Sequence, residues 1–158
     1  MGIEFHSLSK PYNMTGWRIG FACGNSDILA GLGSIKTNVD SGVFQAIQYA
    51  GIEALTGPQD CIAENVATYK ERRDILVKGL NRLGWDVSLP KVAFYIWIPV
   101  PQGYTSTKIC EILLERCGIV MTPGNGFGKS GEGYIRAALT VGRPRIEESV
   151  GRIGNLKL

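Results

Sequence analysis

His6-Ser7-Leu8-Ser9-Lys10-Pro11-Tyr12-Asn13-Met14-Thr15-Gly16-Trp17-Arg18-Ile19-Gly20 gathers hydroxyls, one amine and one guanidinium about a sharp turn. An extended stretch from Ile3 to Leu8 leads in, the turn runs from Lys10 to Gly16, and Trp17 to Ala22 reads as the returning strand. A lysine at a strand end is placed to form a Schiff base with an aldehyde. Its amine must be deprotonated to attack, and positive charge from Arg18, eight residues on, favours that form. Ser7 and Arg18, with Ser9 as a weaker candidate, suit a phosphate group, because a phosphate monoester takes short hydroxyl donors and arginine's planar fork. Alone, Lys10 would be one more solvated turn lysine. Its company gives it a chemistry.

Working outward, Gly24-Asn25-Ser26-Asp27 offers turn and capping chemistry for a helix beginning near Asp27. A second helix is predicted from Gly42 to Leu55, with Val43, Ala46, Ile47 and Ala50 on one face and Asp40 or Ser41 as its cap. Gly57-Pro58 marks a new start. From Gln59 to Leu83, Ile62, Val66, Tyr69, Arg73, Leu76, Leu80 and Leu83 recur at helical spacing. After Gly84 the chain reads as a small α/β unit: strand Phe94 to Val100, helix Ser106 to Arg116, short strand Gly118 to Met121, strand Tyr134 to Leu139, and a last helix from Pro144 to Leu156. Three regions follow: 1–56, a linking helix over 57–83, and 84–158. Two strands make only a marginal sheet, so region 1–56 reads as a piece of a larger sheet with upstream strands.

Composition narrows the function. The 158 residues are 44% hydrophobic and 20% charged, with a formal charge of +3 that is spread out rather than blocked. Only Lys70 to Arg73 is dense, and it alternates with Glu71 and Asp74 as a helix surface does. Nucleic-acid binding is not indicated. No stretch reaches eighteen apolar residues and no basic-then-apolar leader opens the chain, so neither membrane spanning nor secretion is expected and the expected compartment is cytoplasmic. Cys23, Cys61, Cys110 and Cys117 form no CxxC pair and His6 is the only histidine, so no metal is expected. Cys110 and Cys117 share a helix face but lie too far apart to bridge, and all four read as buried thiols in a reducing compartment.

Arg136 is the other candidate anchor. In Gly131-Glu132-Gly133-Tyr134-Ile135-Arg136-Ala137-Ala138-Leu139-Thr140, strand alternation sends Tyr134 and Arg136 one way and Ile135 and Ala137 the other. An arginine among Ile, Ala and Leu implies an anionic partner, either a protein carboxylate or a ligand. The segment Thr122 to Ser130 suggests a phosphate loop, but G-x-x-x-x-G-K-S needs Gly where Pro123 stands, so it reads as a flexible Gly-rich loop. Phe94-Tyr95-Ile96-Trp97 reads first as a buried strand and second as a lining near substrate.

The run around Lys10 resembles the cofactor-lysine segment of the class I/II, fold type I, pyridoxal-phosphate aminotransferases. Glu4 to Gln48, including Asp40-Ser41-Gly42-Val43-Phe44-Gln45, is similar to the LL-diaminopimelate aminotransferases within that family. The resemblance covers essentially the whole chain but only the C-terminal part of such an enzyme. It implies an α/β fold: a partial large domain over 1–56, the linking helix, and a complete small domain over 84–158. It implies pyridoxal 5'-phosphate as cofactor, Lys10 as the Schiff-base lysine and proton shuttle, Ser7 and Arg18 on the phosphate, and Arg136 on the substrate α-carboxylate. Pro11 stands where the family usually has a small polar residue. Amino-acid and 2-keto-acid substrates, a homodimer contacted near Asp40 to Phe44, and an N-terminal polypeptide missing from this chain are further implications. The favoured reaction moves the amino group of LL-2,6-diaminopimelate to 2-oxoglutarate in lysine biosynthesis. Aspartate or another amino acid as donor, and a catalytically silent fragment or interaction module, are the alternatives.

Overall fold

A computed structural model describes residues 2–156, in two compact units that divide between Val66 and Ala67. The first unit carries an antiparallel hairpin of β1 (Ile3–Ser7) and β2 (Gly20–Gly24), then α1 (Ser26–Val39) and α2 (Gln45–Thr56). α3 (Asp60–Arg82) starts in this unit and continues into the second. There follow β3 (Tyr95–Pro99), α4 (Ser106–Cys117), the short β4 (Thr122–Pro123), β5 (Tyr134–Ala138) and α5 (Arg143–Gly154). β5 is central in an antiparallel sheet of order β3-β5-β4. The chain is thus α/β, with two small sheets and helices around them.

In the first unit, β1 and β2 pair from Ile3 opposite Gly24 to Ser7 opposite Gly20. The returning strand begins later than its β-branched and aromatic residues suggest. Thr15–Trp17 forms a 3-10 turn and Arg18 adopts a left-handed conformation, φ 52°, so pairing resumes only at Gly20. A side chain at Gly20 would meet the His6 carbonyl oxygen at 2.5 Å, so the strands approach this closely only with glycine there. Asn25 caps α1 as expected, its Oδ1 accepting from Asp27 N–H at 3.1 Å and Ile28 N–H at 3.2 Å.

Neither Asp40 nor Ser41 caps α2. The helix starts at Gln45 behind Phe44, and the Asp40 carboxylate instead takes Lys36 and the Gly42 N–H, which hold its carboxyl below the usual range. Burial in this unit is sparse. Leu8, Ser9, Met14 and Gly51 are buried, whereas Phe5, Val39 and Phe44 are each more than 70% exposed. Along α3, Val66 is exposed while Leu76 and Leu80 are buried, so the apolar stripe is used mainly in the second unit.

That unit has its own core. The pleat of β3 and β5 sends Ile96, Ile98, Ile135 and Ala137 to one face, where they meet Leu76, Val77 and Leu80 of α3, Ile109 and Leu113 of α4, and Ile146 and Ile153 of α5. Fully burying an isoleucine contributes about 1.5–3 kcal/mol, so the register of this sheet is strongly specified. Residues 118–121 form no strand; the ladder to β5 is only Thr122–Pro123. Cys117 is buried and Cys110 partly so, and burial pushes both thiols up, but Cys23 and Cys61 are exposed. The expectation of four buried thiols fails on those two. Among the described residues no helix is long and apolar enough to cross a membrane.

The Gly-rich segment before β5 is not a loose loop. It folds into two successive 3-10 turns, Gly124–Phe127 and Lys129–Gly131. Gly124 and Gly131 cross so closely that a Cβ on either would lie 2.0 Å from the other's carbonyl oxygen. Hydrogen bonds tie the crossing to α4: Glu132 Oε1 accepts from the Ser106 N–H at 2.8 Å, Gly133 N–H donates to Ser106 Oγ at 2.9 Å, and Asn125 Nδ2 donates to Thr107 Oγ1 at 3.1 Å. Glu132 thereby satisfies an otherwise orphan N–H at the positive end of a helix.

The Ser106 N–H holds the Glu132 carboxyl below the usual glutamate range, with smaller help from Gly133. A carboxyl with a depressed folded-state pKa stabilises the fold above its unfolded value, about 4.3, and that contribution is lost as pH falls through the lowered value. Urea midpoints of the parent and Glu132→Gln should therefore differ above about pH 5 and converge on acidification. A gap that stays constant into acid would remove the charge from this account.

Candidate active site

The hairpin turn of the first unit collects three of the four candidate residues. Leu8 N–H donates to the Ile19 carbonyl at 3.3 Å and Tyr12 N–H to the Leu8 carbonyl at 3.3 Å, so the chain folds back directly after β1. This closure returns Arg18 to the strand end from which Ser7 and Lys10 emerge. Ser7, Lys10 and Arg18 are all exposed. Ser9 is buried, and its carbonyl accepts the Thr15 hydroxyl at 3.2 Å, so it belongs to the internal bonding of the turn.

The turn is fixed from outside as well. Tyr12 Oη donates to Gln59 Oε1 at 2.9 Å, Asn13 Nδ2 to Asn65 Oδ1 at 3.0 Å, and Asn65 Nδ2 to the Pro11 carbonyl at 3.3 Å. Lys10 therefore sits on a loop pinned on both sides of its own position. Arg18 carries local strain: left-handed backbone costs a residue with a Cβ about 1–2 kcal/mol. Its Nη1 donates to the Thr15 carbonyl at 3.1 Å, which fixes the side chain while leaving further guanidinium donors for an anion. Ser7 Oγ accepts from Ser9 N–H at 3.2 Å, so its hydroxyl proton is available to donate outward. A hydroxyl, a primary amine and a guanidinium at one loop mouth are a donor set suited to a phosphorylated aldehyde.

Arg136 belongs to the second unit. The predicted alternation holds, with Ile135 and Ala137 buried, Arg136 partly buried and Tyr134 exposed. Cross-strand register puts Trp97 opposite Arg136, so Tyr95 and Trp97 lie on the arginine's face and the buried half of β3 is Ile96 and Ile98. The Arg136 Cζ stands 4.1 Å from the Tyr95 ring centroid and 4.2 Å from that of Phe127. Trp97 packs edge-on against Phe127 at 5.4 Å and Tyr134 at 6.3 Å. Beside them Trp97, Phe127, Ser130, Gly131 and Tyr134 line an open cavity of about 370 Å³.

Among the described residues no carboxylate pairs with Arg136. A structural salt bridge thus does not account for it, and two rings take the place of a counter-charge. Each such contact is worth about 0.5–2 kcal/mol, and neither uses the in-plane N–H donors. Tyr95 and Phe127 are the residues that the sequence did not single out as partners of Arg136. Alternation could have offered Tyr95 once the strand register was known; no local signal points to Phe127.

Glu4, His6 and Cys23 come together on one face of the β1–β2 hairpin, with ligand atoms within 4.8 Å of one another. CxxC spacing could not reveal this trio, because cross-strand pairing assembles it. All three are exposed; His6 Nε2 lies 3.0 Å from Glu4 Oε2, and its ring stacks on Phe21 at 5.1 Å.

The family model for aminotransferase class I and II matches residues 2–153. The chain is 58% identical over 153 residues to LL-diaminopimelate aminotransferase of Moorella thermoacetica, covering 97% of this chain and 39% of that protein. The substrate-bound structure of BacF from Bacillus subtilis superposes with a TM-score of 0.94 at 35% identity, covering 99% of this chain and 40% of that one. The aspartate aminotransferase of Rhizobium meliloti gives a TM-score of 0.85 at 32% identity, over 96% of this chain and 40% of its own. This chain spans about 40% of the length of the curated relatives it matches. With the family model matched almost end to end and curated relatives more than half identical over nearly the whole chain, the chain belongs to the class I and II aminotransferases, the fold type I pyridoxal-phosphate enzymes.

Proposed function

We propose that this chain is the C-terminal part of an aminotransferase that takes LL-2,6-diaminopimelate as amino donor and 2-oxoglutarate as acceptor. The observation carrying the donor choice is its much higher identity to the Moorella diaminopimelate enzyme than to the Rhizobium aspartate enzyme. Residues 1–56 are then the end of a large cofactor-binding domain, 57–83 the linking helix and 84–158 the small domain. The exposed Phe5, Val39 and Phe44 support this division, because they suit a surface covered by more protein. The missing cover is an upstream polypeptide, and a second copy of the enzyme meets the Asp40 to Phe44 region.

Pyridoxal phosphate, when bound, supplies an aldehyde carbon for a covalent link to an amine and an electron sink for the α-carbon. Arg18 and Ser7 would hold its phosphate by charge-assisted and hydroxyl hydrogen bonds. Lys10 would provide the amine for that link, and its Nζ would serve as the base that holds and moves the proton of the donor's α-carbon. Arg136 receives the α-carboxylate. Tyr95 and Phe127 leave its N–H edge open, and a carboxylate meets that edge with two parallel hydrogen bonds.

A chimera tests the reading. This chain would replace the corresponding C-terminal part of the Moorella enzyme, and transamination of 2-oxoglutarate would be followed with LL-diaminopimelate, aspartate and other donors. Diaminopimelate should be used best. A folded chimera that binds the cofactor yet prefers aspartate would transfer the reading to the aspartate branch, and one without any transamination would favour an interaction role.

In the same chimera, Arg136→Lys should leave cofactor affinity close to the parent's. It keeps the charge but loses the paired donors, and misplacement by about 1 Å costs on the order of a hundredfold in rate. The loss should appear in kcat/KM for donor and keto acid alike, since both carry an α-carboxylate. A loss confined to one of them would mean that Arg136 reads a distal group.

A further inference from the structure

We infer that Phe127 is a positioning residue for Arg136: with Tyr95 it fixes the plane of the guanidinium so that the N–H edge is presented to a carboxylate. The inference rests on the carboxylate role proposed for Arg136. Three observations carry it. The Arg136 Cζ lies 4.1 Å and 4.2 Å from the centroids of Tyr95 and Phe127, so both rings pack directly on the group. The described residues supply no carboxylate to orient it by charge. Phe127 is held in its turn by the Gly124–Gly131 crossing and braced by the edge of Trp97 at 5.4 Å.

The two rings come from different kinds of support. Tyr95 is a strand residue paired opposite Ala138, so the sheet alone places it. Phe127 comes from a 3-10 turn and is 49% exposed, so its position depends on the crossing glycines and on Trp97. A ring against the guanidinium also sheds water from its faces, while the in-plane donors stay available. Arginine has several rotatable bonds, and holding it in one conformation before binding removes an ordering cost that the ligand would otherwise meet. Phe127 touches Arg136 and acts through it.

The test uses the chimera described above, in which this chain replaces the corresponding C-terminal part of the Moorella enzyme. Side-chain NMR of Arg136 reads ring contact directly, because a guanidinium over an aromatic face has an upfield-shifted Nε–H proton. Phe127→Leu should move that resonance towards the value of exposed arginines, while Phe127→Tyr should leave it in place. Titration with 2-oxoglutarate supplies a second readout, and Phe127→Leu should weaken binding about five- to tenfold, with Phe127→Tyr near the parent. Thermal melts of both variants separate this from unfolding; the exposure of Phe127 predicts little change. Parent-like shift and affinity in Phe127→Leu would overturn the inference. If Phe127→Leu releases the guanidinium but the parent binds no 2-oxoglutarate, the positioning role stands and the carboxylate reading of Arg136 is what fails.

Discussion

The pleat of β3 and β5 is the constraint on which the second unit depends. Ile96, Ile98, Ile135 and Ala137 must all face the helices to bury their side chains, and a slip of one residue would turn them outward. The same alternation then has no choice about Tyr95, Trp97, Tyr134 and Arg136: they share the opposite face. Core burial thus sets the chemistry of the free face. An arginine that would be costly to bury is brought beside aromatic rings, which attract its charge without consuming its hydrogen-bond donors.

The first unit is organised differently. Its hairpin closes a loop by backbone hydrogen bonds, and the side chains of Gln59, just before α3, and Asn65, within it, fix the loop from outside. Little apolar surface is buried there, so the placement of Ser7, Lys10 and Arg18 rests on polar contacts and on two left-handed residues, Asn13 and Arg18. The exposed apolar side chains of this unit and the 40% span of its relatives are consistent with each other.

Much of this was legible from residue types. Asn25 before Ser26-Asp27 marked the start of α1, Pro144 marked that of α5, and alternation in Tyr134 to Ala138 separated Arg136 from the core. The turn at Lys10 was legible because hydroxyl, proline, asparagine and glycine residues concentrate there. Other features depend on contacts between distant residues. Arg18 takes a left-handed conformation that no local propensity favours, and this delays β2 to Gly20. Gly124 and Gly131 look like residues of a loose loop until the two backbones are seen to cross. The register of β3 on β5, which brings Tyr95 to Arg136, follows from core packing across the sheet, as the aromatic residues alone do not specify it.

The central claim is that Lys10 is the amine on which the family's chemistry turns. It is tested most directly by locating the covalent attachment point of pyridoxal phosphate. The chimera carrying this chain would be loaded with the cofactor, reduced with borohydride, digested and mapped by mass spectrometry. The modified residue should be Lys10, and Lys10→Ala should abolish the adduct without preventing cofactor binding through phosphate contacts. Stoichiometric modification at another lysine, with Lys10 unmodified, would contradict the account.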